Sequence, residues 1–316
     1  TSSNWPDSSV NKNATGQGDP GNGSPCVHTV PNPAEPGDRP WKLGERSEEI
    51  LMIEPQMKNP YTYCFTTEVP YYQCDLSGKM KLSWLLKVME RAAGEHLEHL
   101  GLSYDRLYQE GIVFLLSKAG VRIHRCPTAA DLLWVETSPQ SVRGAQYNRE
   151  IRVYAEENGG PGELLAEIHT VWFMADPVER KILRPEKFTH PLPTIPPEEA
   201  MEPFGAARFR VTGEECGEQA FTVRYSHLDV NGHLNNTVYG DLVCDVLPFE
   251  ELVNRGIREF RIVFRHEARY GEELGLQLFH DREEDCWYVT GHRADGPCFE
   301  AQVVLNDTEQ SEDSVR

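Results

Sequence analysis

No uninterrupted apolar run in this 316-residue chain approaches the roughly 18 to 20 residues that a membrane-spanning helix requires. The opening stretch, TSSNWPDSSVNKNATGQ, contains no apolar h-region, so a secretory signal is not expected there. Positive charge is also scarce. Against 50 acidic residues there are 31 Lys and Arg, and a net charge of −19 disfavours nucleic acid, which needs a basic face to meet its phosphates. No C-x-x-C pair occurs among Cys26, Cys64, Cys74, Cys126, Cys216, Cys244, Cys286 and Cys298, and their spacing suits no metal. Several lie in apolar segments, so the expectation is buried free thiols in a reducing cytoplasm, with neither metal nor cofactor called for. Two glycosylation patterns, at Asn13 and Asn235, carry little weight without a secretory signal.

What is present begins with a Gly/Pro/Ser-rich arm over residues 1–46, which cannot bury enough apolar surface to offset its ordering entropy. A polar tail over 308–316 reads the same way, and the Pro-rich passage THPLPTIPPEEAMEP reads as a linker over 189–203. Two pieces remain for folding, 47–188 and 204–307.

Both pieces open alike. VPYYQCDLSGKMKL in the first aligns without gaps on VRYSHLDVNGHLNN in the second, matching Val69 to Val223, Tyr71 to Tyr225, Asp75 to Asp229 and Gly78 to Gly232. A helical pattern follows each glycine. Trp84, Leu85, Val88, Met89, Ala92 and Leu97 share one face in the first, and Val238, Tyr239, Leu242, Val243, Val246 and Leu247 in the second. After each helix come only segments with two-residue alternation and tight turns, among them IVFLLSKAGVRIHR and IREFRIVFRHEA. One helix and an antiparallel meander, twice over, make an α+β tandem repeat. Its most polar element, DVNGHLNN, admits two readings from the residues alone. Asp, Asn and Gly are ordinary turn and cap residues, yet an acid, a carboxamide and an imidazole also make a catalytic set.

The run RYSHLDVNGHLNNTVYGDLVCDVLP, followed by IREFRIVFRHEARYGEEL, resembles the C-terminal half of the fatty acyl-ACP thioesterases of plants and bacteria. VFLLSKAGVRIHRCPTAADLLWVETSP and GELLAEIHTVWFMADPVERKILRPEKF resemble that family's N-terminal half. The likeness covers residues 61–305 or so. It implies a double hotdog fold, with two long helices each wrapped by its curved antiparallel sheet. It also implies hydrolysis of the thioester between a fatty acyl chain and acyl carrier protein, which ends chain elongation.

Within that frame the second repeat supplies the chemistry. Asp229 serves as base or direct nucleophile, Asn231 offers amide N–H groups to the thioester oxygen or fixes the water, and His233 shuttles a proton. Glu267, carried over from the family, completes the set by orienting His233 or holding the water. Asn235 or Asn236 is expected to cap the following helix. Plant members commonly carry a cysteine directly after the matching Glu; Ala268 stands there, so no thiolate at that site is essential. In the first repeat Ser77 and Lys79 replace Asn231 and His233, which predicts a catalytically silent half supplying the acyl pocket. Trp84, Leu85, Met89 and Trp172 are candidates for its lining. His227 and His266 read as structural or solvent-facing.

The partner implied is acyl carrier protein, itself acidic, so a local basic patch must receive it. Arg255, Arg258, Arg261, Arg265 and Arg269 form one candidate, and Arg180, Lys181, Arg184 and Lys187 another. Three rival functions stay open. An acyl-CoA thioesterase differs only in carrier. A hotdog hydratase or dehydratase resembles D-x-N-P-x-H, with the imidazole five residues after the acid, whereas here His233 follows Asp229 by four. A non-catalytic acyl-binding protein would not require the intact set. Because a double hotdog pairs its sheets within one chain, a monomer and a homodimer are both compatible.

Overall fold

The computed structural model describes residues 54–307, so the expected arm over 1–46 and tail over 308–316 lie outside the described residues. The first repeat runs β1 (Gln56–Met57), β2 (Tyr63–Glu68), α1 (Leu82–His99), α2 (Tyr104–Gln109), β3 (Val113–Ile123), β4 (Leu132–Pro139), β5 (Gln146–Glu157) and β6 (Gly160–Ala175). The second runs β7 (Glu214–Thr222), α3 (Val238–Val246), α4 (Phe249–Arg255), β8 (Ile257–Phe264), β9 (Glu273–Asp281), β10 (Cys286–Arg293) and β11 (Gly296–Leu305).

All these strands join one 11-stranded antiparallel sheet in the order β1-β2-β4-β5-β6-β3-β8-β11-β10-β9-β7. From the central seam outward, β3-β6-β5-β4-β2 in one half is matched by β8-β11-β10-β9-β7 in the other. That mirrored order is what a duplicated unit gives when its two copies pair edge to edge about a pseudo-two-fold axis. At the seam Ala119 faces Ile262 and Val121 faces Phe260, and all four side chains are buried. A one-residue slip would turn this apolar set to the opposite face, so burial sets the register.

The helices fill the interior, α1 against β2, β4 and β5, and α3 against β7 and β9. They meet each other at Gly240, where a Cβ would sit 3.1 Å from both Leu86 Cδ1 and the Ser83 backbone nitrogen. A side chain there would require the neighbouring helix to give by a few tenths of an ångström. One apolar cluster accordingly runs through both repeats, from Phe65 and Met89 to Phe260 and Phe299. This is the tandem hotdog.

The two helices differ in length. Whereas α1 has 18 residues, α3 stops after 9 and the chain resumes as α4. Pro248 is the cause. Proline lacks an N–H and forces the preceding residue out of helical geometry, and Leu247 is extended, at ψ 149°.

The Pro-rich passage is docked along its length. Ile195 N donates to Pro139 O, and Met201 N donates to a Glu150 carboxylate oxygen at 2.7 Å, with Met201 itself buried. Prolines have no N–H to satisfy, so a few apolar anchors suffice to lay such a segment on the sheet. Among the described residues β7 forms the long free edge. Its Glu214, Glu215 and Glu218 are the kind of charges that discourage edge-to-edge association.

Candidate active site

The two copies of the repeated turn share one backbone. Gly78 and Gly232 take φ 77° and 75°, the left-handed region that favours glycine. Asp75 N donates to Lys79 O and Asp229 N to His233 O, both at 2.8 Å. In each copy the aspartate closes the turn with one oxygen. Asp229 Oδ1 accepts from Asn231 N at 2.8 Å and His233 N at 3.1 Å. Asp75 Oδ1 accepts from Ser77 N at 2.8 Å and Lys79 N at 3.1 Å. A structural duty for this acid is thus common to both repeats, and only the second surrounds it with groups that carry chemistry.

A third replacement separates the copies. Leu234 N donates to Ala268 O as Met80 N donates to Pro127 O, which places Cys126 where the second repeat has Glu267. Glu267 Oε2 lies 3.1 Å from His233 Nε2. It also receives the guanidinium of Arg180, which reaches across from the first repeat. Ala268 is fully buried. The thiol beside this loop, Cys298, donates to His266 O and is pushed up by burial, so it is held as a thiol and not a nucleophilic thiolate.

Asp229 and Asn231 face a cavity of about 630 Å³. Its far walls come from the first repeat, with Phe114, Tyr147 and Trp172 among the apolar contributors, and from Leu192 of the Pro-rich passage. The α1 contribution is Glu90, Ala93, Gly94 and Leu97, one helical stripe in which the small pair at 93 and 94 leaves the room. Of the four residues expected to line an acyl pocket, only Trp172 does so. Leu85 and Met89 belong to the neighbouring stripe of α1 and are buried in the core, and Trp84 packs against that core as well. The cavity face of α1 carries small residues and Glu90 beside the larger apolar face, and helical periodicity by itself does not say which of the two borders empty space.

Arg149, on β5, also lines the cavity. Its Nη1 donates to Thr137 Oγ1 and to His96 Nδ1, each at 3.0 Å. A guanidinium has only donors, so His96 must accept and stay neutral. Burial first, then the Arg149 charge, pushes the His96 imidazole down to about 3.

Three contacts from the first repeat had no signal in the local sequence pattern. Tyr104 Oη donates to Asn231 Oδ1 at 2.8 Å. Arg180 pairs with Glu267, as above. Glu90, half-buried on α1, shares a side-chain hydrogen bond with Asn236. Asn236 is therefore engaged sideways and does not cap α3. Asn235 instead accepts from Thr237 N at 2.8 Å and Thr237 Oγ1 at 2.6 Å, forming a turn ahead of the helix. His227 Nδ1 accepts from Arg224 N at 3.0 Å, and His266 Nδ1 lies 2.7 Å from Pro297 O.

The arginines at 255, 258, 261, 265 and 269 do not form one open basic surface. Arg255 is enclosed by Asp285 and Glu251, Arg261 meets Glu259, Arg265 meets Glu300, and Arg258 meets Asp307. Alternation along β8 sends neighbouring side chains to opposite faces, and an acidic chain supplies a carboxylate near each. Arg269 is exposed beside His233, to which its backbone is bridged. Arg180, Lys181, Arg184 and Lys187 are all exposed.

Burial raises the Glu90 carboxyl to about 7, with the Asp229 charge adding and the Asn236 hydrogen bond opposing. An unfolded carboxyl titrates near 4.5, so between that value and about 7 the folded chain holds a proton that the unfolded chain has lost. Stability therefore falls as pH rises through this window. Glu90→Gln removes the cost of ionisation. Its unfolding midpoint should gain on the wild type between pH 5 and pH 8, and parallel midpoints across that range would contradict the assignment.

Comparisons with known proteins agree with this architecture. The family model described as the acyl-ACP thioesterase N-terminal domain matches residues 60–189, and that of the C-terminal domain matches residues 212–296. The chain is similar to the chloroplastic acyl-[acyl-carrier-protein] hydrolase FATB2 of Cuphea viscosissima, 23% identical over 221 residues, 65% of this chain and 52% of that protein. It is also similar to the chloroplastic palmitoyl-acyl carrier protein thioesterase of Cuphea hookeriana, 22% identical over 65% of this chain and 51% of that protein. The chain spans about half the length of the curated relatives it matches. Among solved structures, an acyl-ACP thioesterase from Bacteroides thetaiotaomicron superposes with a TM-score of 0.66 at 20% identity, over 78% of this chain and 98% of that one. The 12:0-ACP thioesterase from Umbellularia californica gives 0.66 at 16% identity, over 78% and 97%. At such identities the structures establish a common fold.

Proposed function

We propose, starting from the fact that this chain belongs to the acyl-ACP thioesterase family, that it hydrolyses fatty acyl-ACP to free fatty acid and holo-ACP. The observation that carries the reading is the meeting of Asp229 and Asn231 with one cavity, beside His233 and Glu267, whose Nε2 and Oε2 lie 3.1 Å apart. The cavity takes the acyl chain and leaves the thioester at the Asp229–Asn231 rim. The carrier's arm then leads outward past the exposed Val230.

In this reading Asp229 Oδ1 is held by the turn, and Oδ2 takes a proton from water or attacks the carbonyl carbon itself. Asn231 N–H groups stabilise the oxyanion that forms as the carbonyl becomes tetrahedral. Collapse breaks the C–S bond, and the departing thiolate takes a proton from His233, which regains it from the water consumed. On the aspartate route that water cleaves the acyl-Asp229 anhydride, releasing the fatty acid and restoring the carboxylate. Neither His233 nor Glu267 lines the cavity, so both act at its mouth, where the leaving group is. Burial of the Cys298 thiol and the presence of Ala268 favour this water or aspartate route over a cysteine nucleophile.

Incubation with acyl-ACPs and acyl-CoAs of graded chain length tests the reading by the thiol released. No release from any thioester overturns it, and release from acyl-CoA alone reassigns the carrier. For the carrier surface we favour Arg180, which pairs with Glu267, and Arg269, bridged to His233, together with the exposed Lys181 and Arg184 that follow Arg180 in the chain. Lys181→Glu with Arg184→Glu should raise KM for acyl-ACP more than that for acyl-CoA, because CoA presents only its phosphates and no acidic protein surface. Equal effects on both substrates would remove this surface.

A further inference from the structure

We propose that Tyr104, supplied by the first repeat, is a positioning residue of the site, holding the Asn231 carboxamide so that its N–H groups point to the reacting carbonyl. The inference rests on the thioesterase reading above and concerns how that site is kept in order.

An asparagine side chain is ambiguous by itself, since its amide turns to present either oxygen or nitrogen. Oxyanion stabilisation requires the nitrogen end. Asn231 stands on a turn tip whose backbone is fixed by its own N–H to Asp229 Oδ1. Nothing in the turn fixes the amide. Tyr104 Oη does, donating to Asn231 Oδ1 at 2.8 Å across 127 residues of sequence. With the oxygen taken by the phenol, the nitrogen faces the other way, and Tyr104, Asp229 and Asn231 border the same cavity.

The phenol is itself well supported. Ser103 Oγ accepts from Arg106 N at the start of α2, and buried Leu102, Leu107 and Ile112 pin that helix to Tyr147 and Met174. Burial, reinforced by the neighbouring Tyr108 and Asp229, raises the phenol further, so it stays a donor across neutral pH. The first repeat, lacking catalytic groups in its own turn, thereby orders one in its twin.

Four variants test this by steady-state hydrolysis of acyl-ACP: Tyr104→Phe, Asn231→Ala, Asn231→Asp, and Tyr104→Phe combined with Asn231→Ala. Loss of one hydrogen bond that acts through Asn231 should lower kcat by roughly three- to tenfold and leave KM unchanged. The double variant should match Asn231→Ala alone, because the phenol has no other route to the reaction. Asn231→Asp keeps the acceptor for Tyr104 but loses the donors, and should be as impaired as Asn231→Ala. Tyr104 is 49% exposed and Phe keeps its ring, so matching unfolding midpoints should confirm an intact fold.

An unchanged kcat in Tyr104→Phe overturns the inference, as do a further loss in the double variant, an effect on KM alone, or an active Asn231→Asp. Absence of hydrolysis by the wild type overturns instead the reading on which it rests.

Discussion

Asp229→Asn should lower kcat/KM for acyl-ACP by roughly a hundredfold to ten-thousandfold, the usual range for losing a general acid or base. The same exchange at Asp75 should leave it unchanged. The pair is informative because the two aspartates do the same structural work. Each accepts two backbone N–H groups through Oδ1 at closely similar distances, and Asn retains an oxygen able to accept them. The fold therefore responds alike to both substitutions, and any difference between them belongs to the chemistry. Asp75 has Ser77, Lys79 and Cys126 where Asp229 has Asn231, His233 and Glu267, so a charge lost there removes no proton acceptor from a reacting group. Steady-state hydrolysis by the two purified variants, with unfolding midpoints for each, makes the measurement. Equal activity in Asp229→Asn and Asp75→Asn would leave the aspartate a turn-former in both repeats and move the base elsewhere.

The largest effect on stability is expected from Phe260→Ala, at about 3 to 5 kcal/mol. Phe260 is fully buried on β8, opposite Val121 of the first repeat on one side and Val303 on the other. Truncation leaves a cavity at the seam, which the flanking strands cannot close without breaking their register. A domain of ordinary stability holds about 5 to 15 kcal/mol in total, so the loss is a large share. Because one apolar cluster spans both repeats, the variant should still unfold in a single transition. Urea titration followed by tryptophan fluorescence and by circular dichroism checks this. Three of the described tryptophans, Trp84, Trp134 and Trp172, report on the first repeat and Trp287 on the second. Separate transitions, with only the second repeat weakened, would show the halves to be independent.

Much of this was legible beforehand where the information was local. Paired turns at Asp75 and Asp229, the glycines that must go left-handed, two-residue alternation in the strands and the Ser77 and Lys79 replacements are all short-range features. The end of α3 was not legible in the apolar spacing of Val238 to Leu247, which runs past Val246; Pro248 sets it. Choice of helix face was not legible. Leu85 and Met89 lie beside the stripe of Glu90, Ala93, Gly94 and Leu97 on α1, and only the position of β5 and of the second repeat makes that second stripe a cavity wall.

By itself, the sequence determined that a helix-and-meander unit occurs twice and that the second copy holds the acid, carboxamide and imidazole. Each of these follows from residues a few positions apart, whose geometry is set by backbone sterics and side-chain periodicity. Tertiary structure alone decided that the first copy reaches into the second, through Tyr104 on Asn231, Arg180 on Glu267 and Glu90 on Asn236. The physical reason is distance along the chain. A contact between side chains separated by 87 or 127 residues depends on how two elements dock, and docking is fixed by the seam between β3 and β8 and the close crossing at Gly240, not by any pattern within the motif those residues serve.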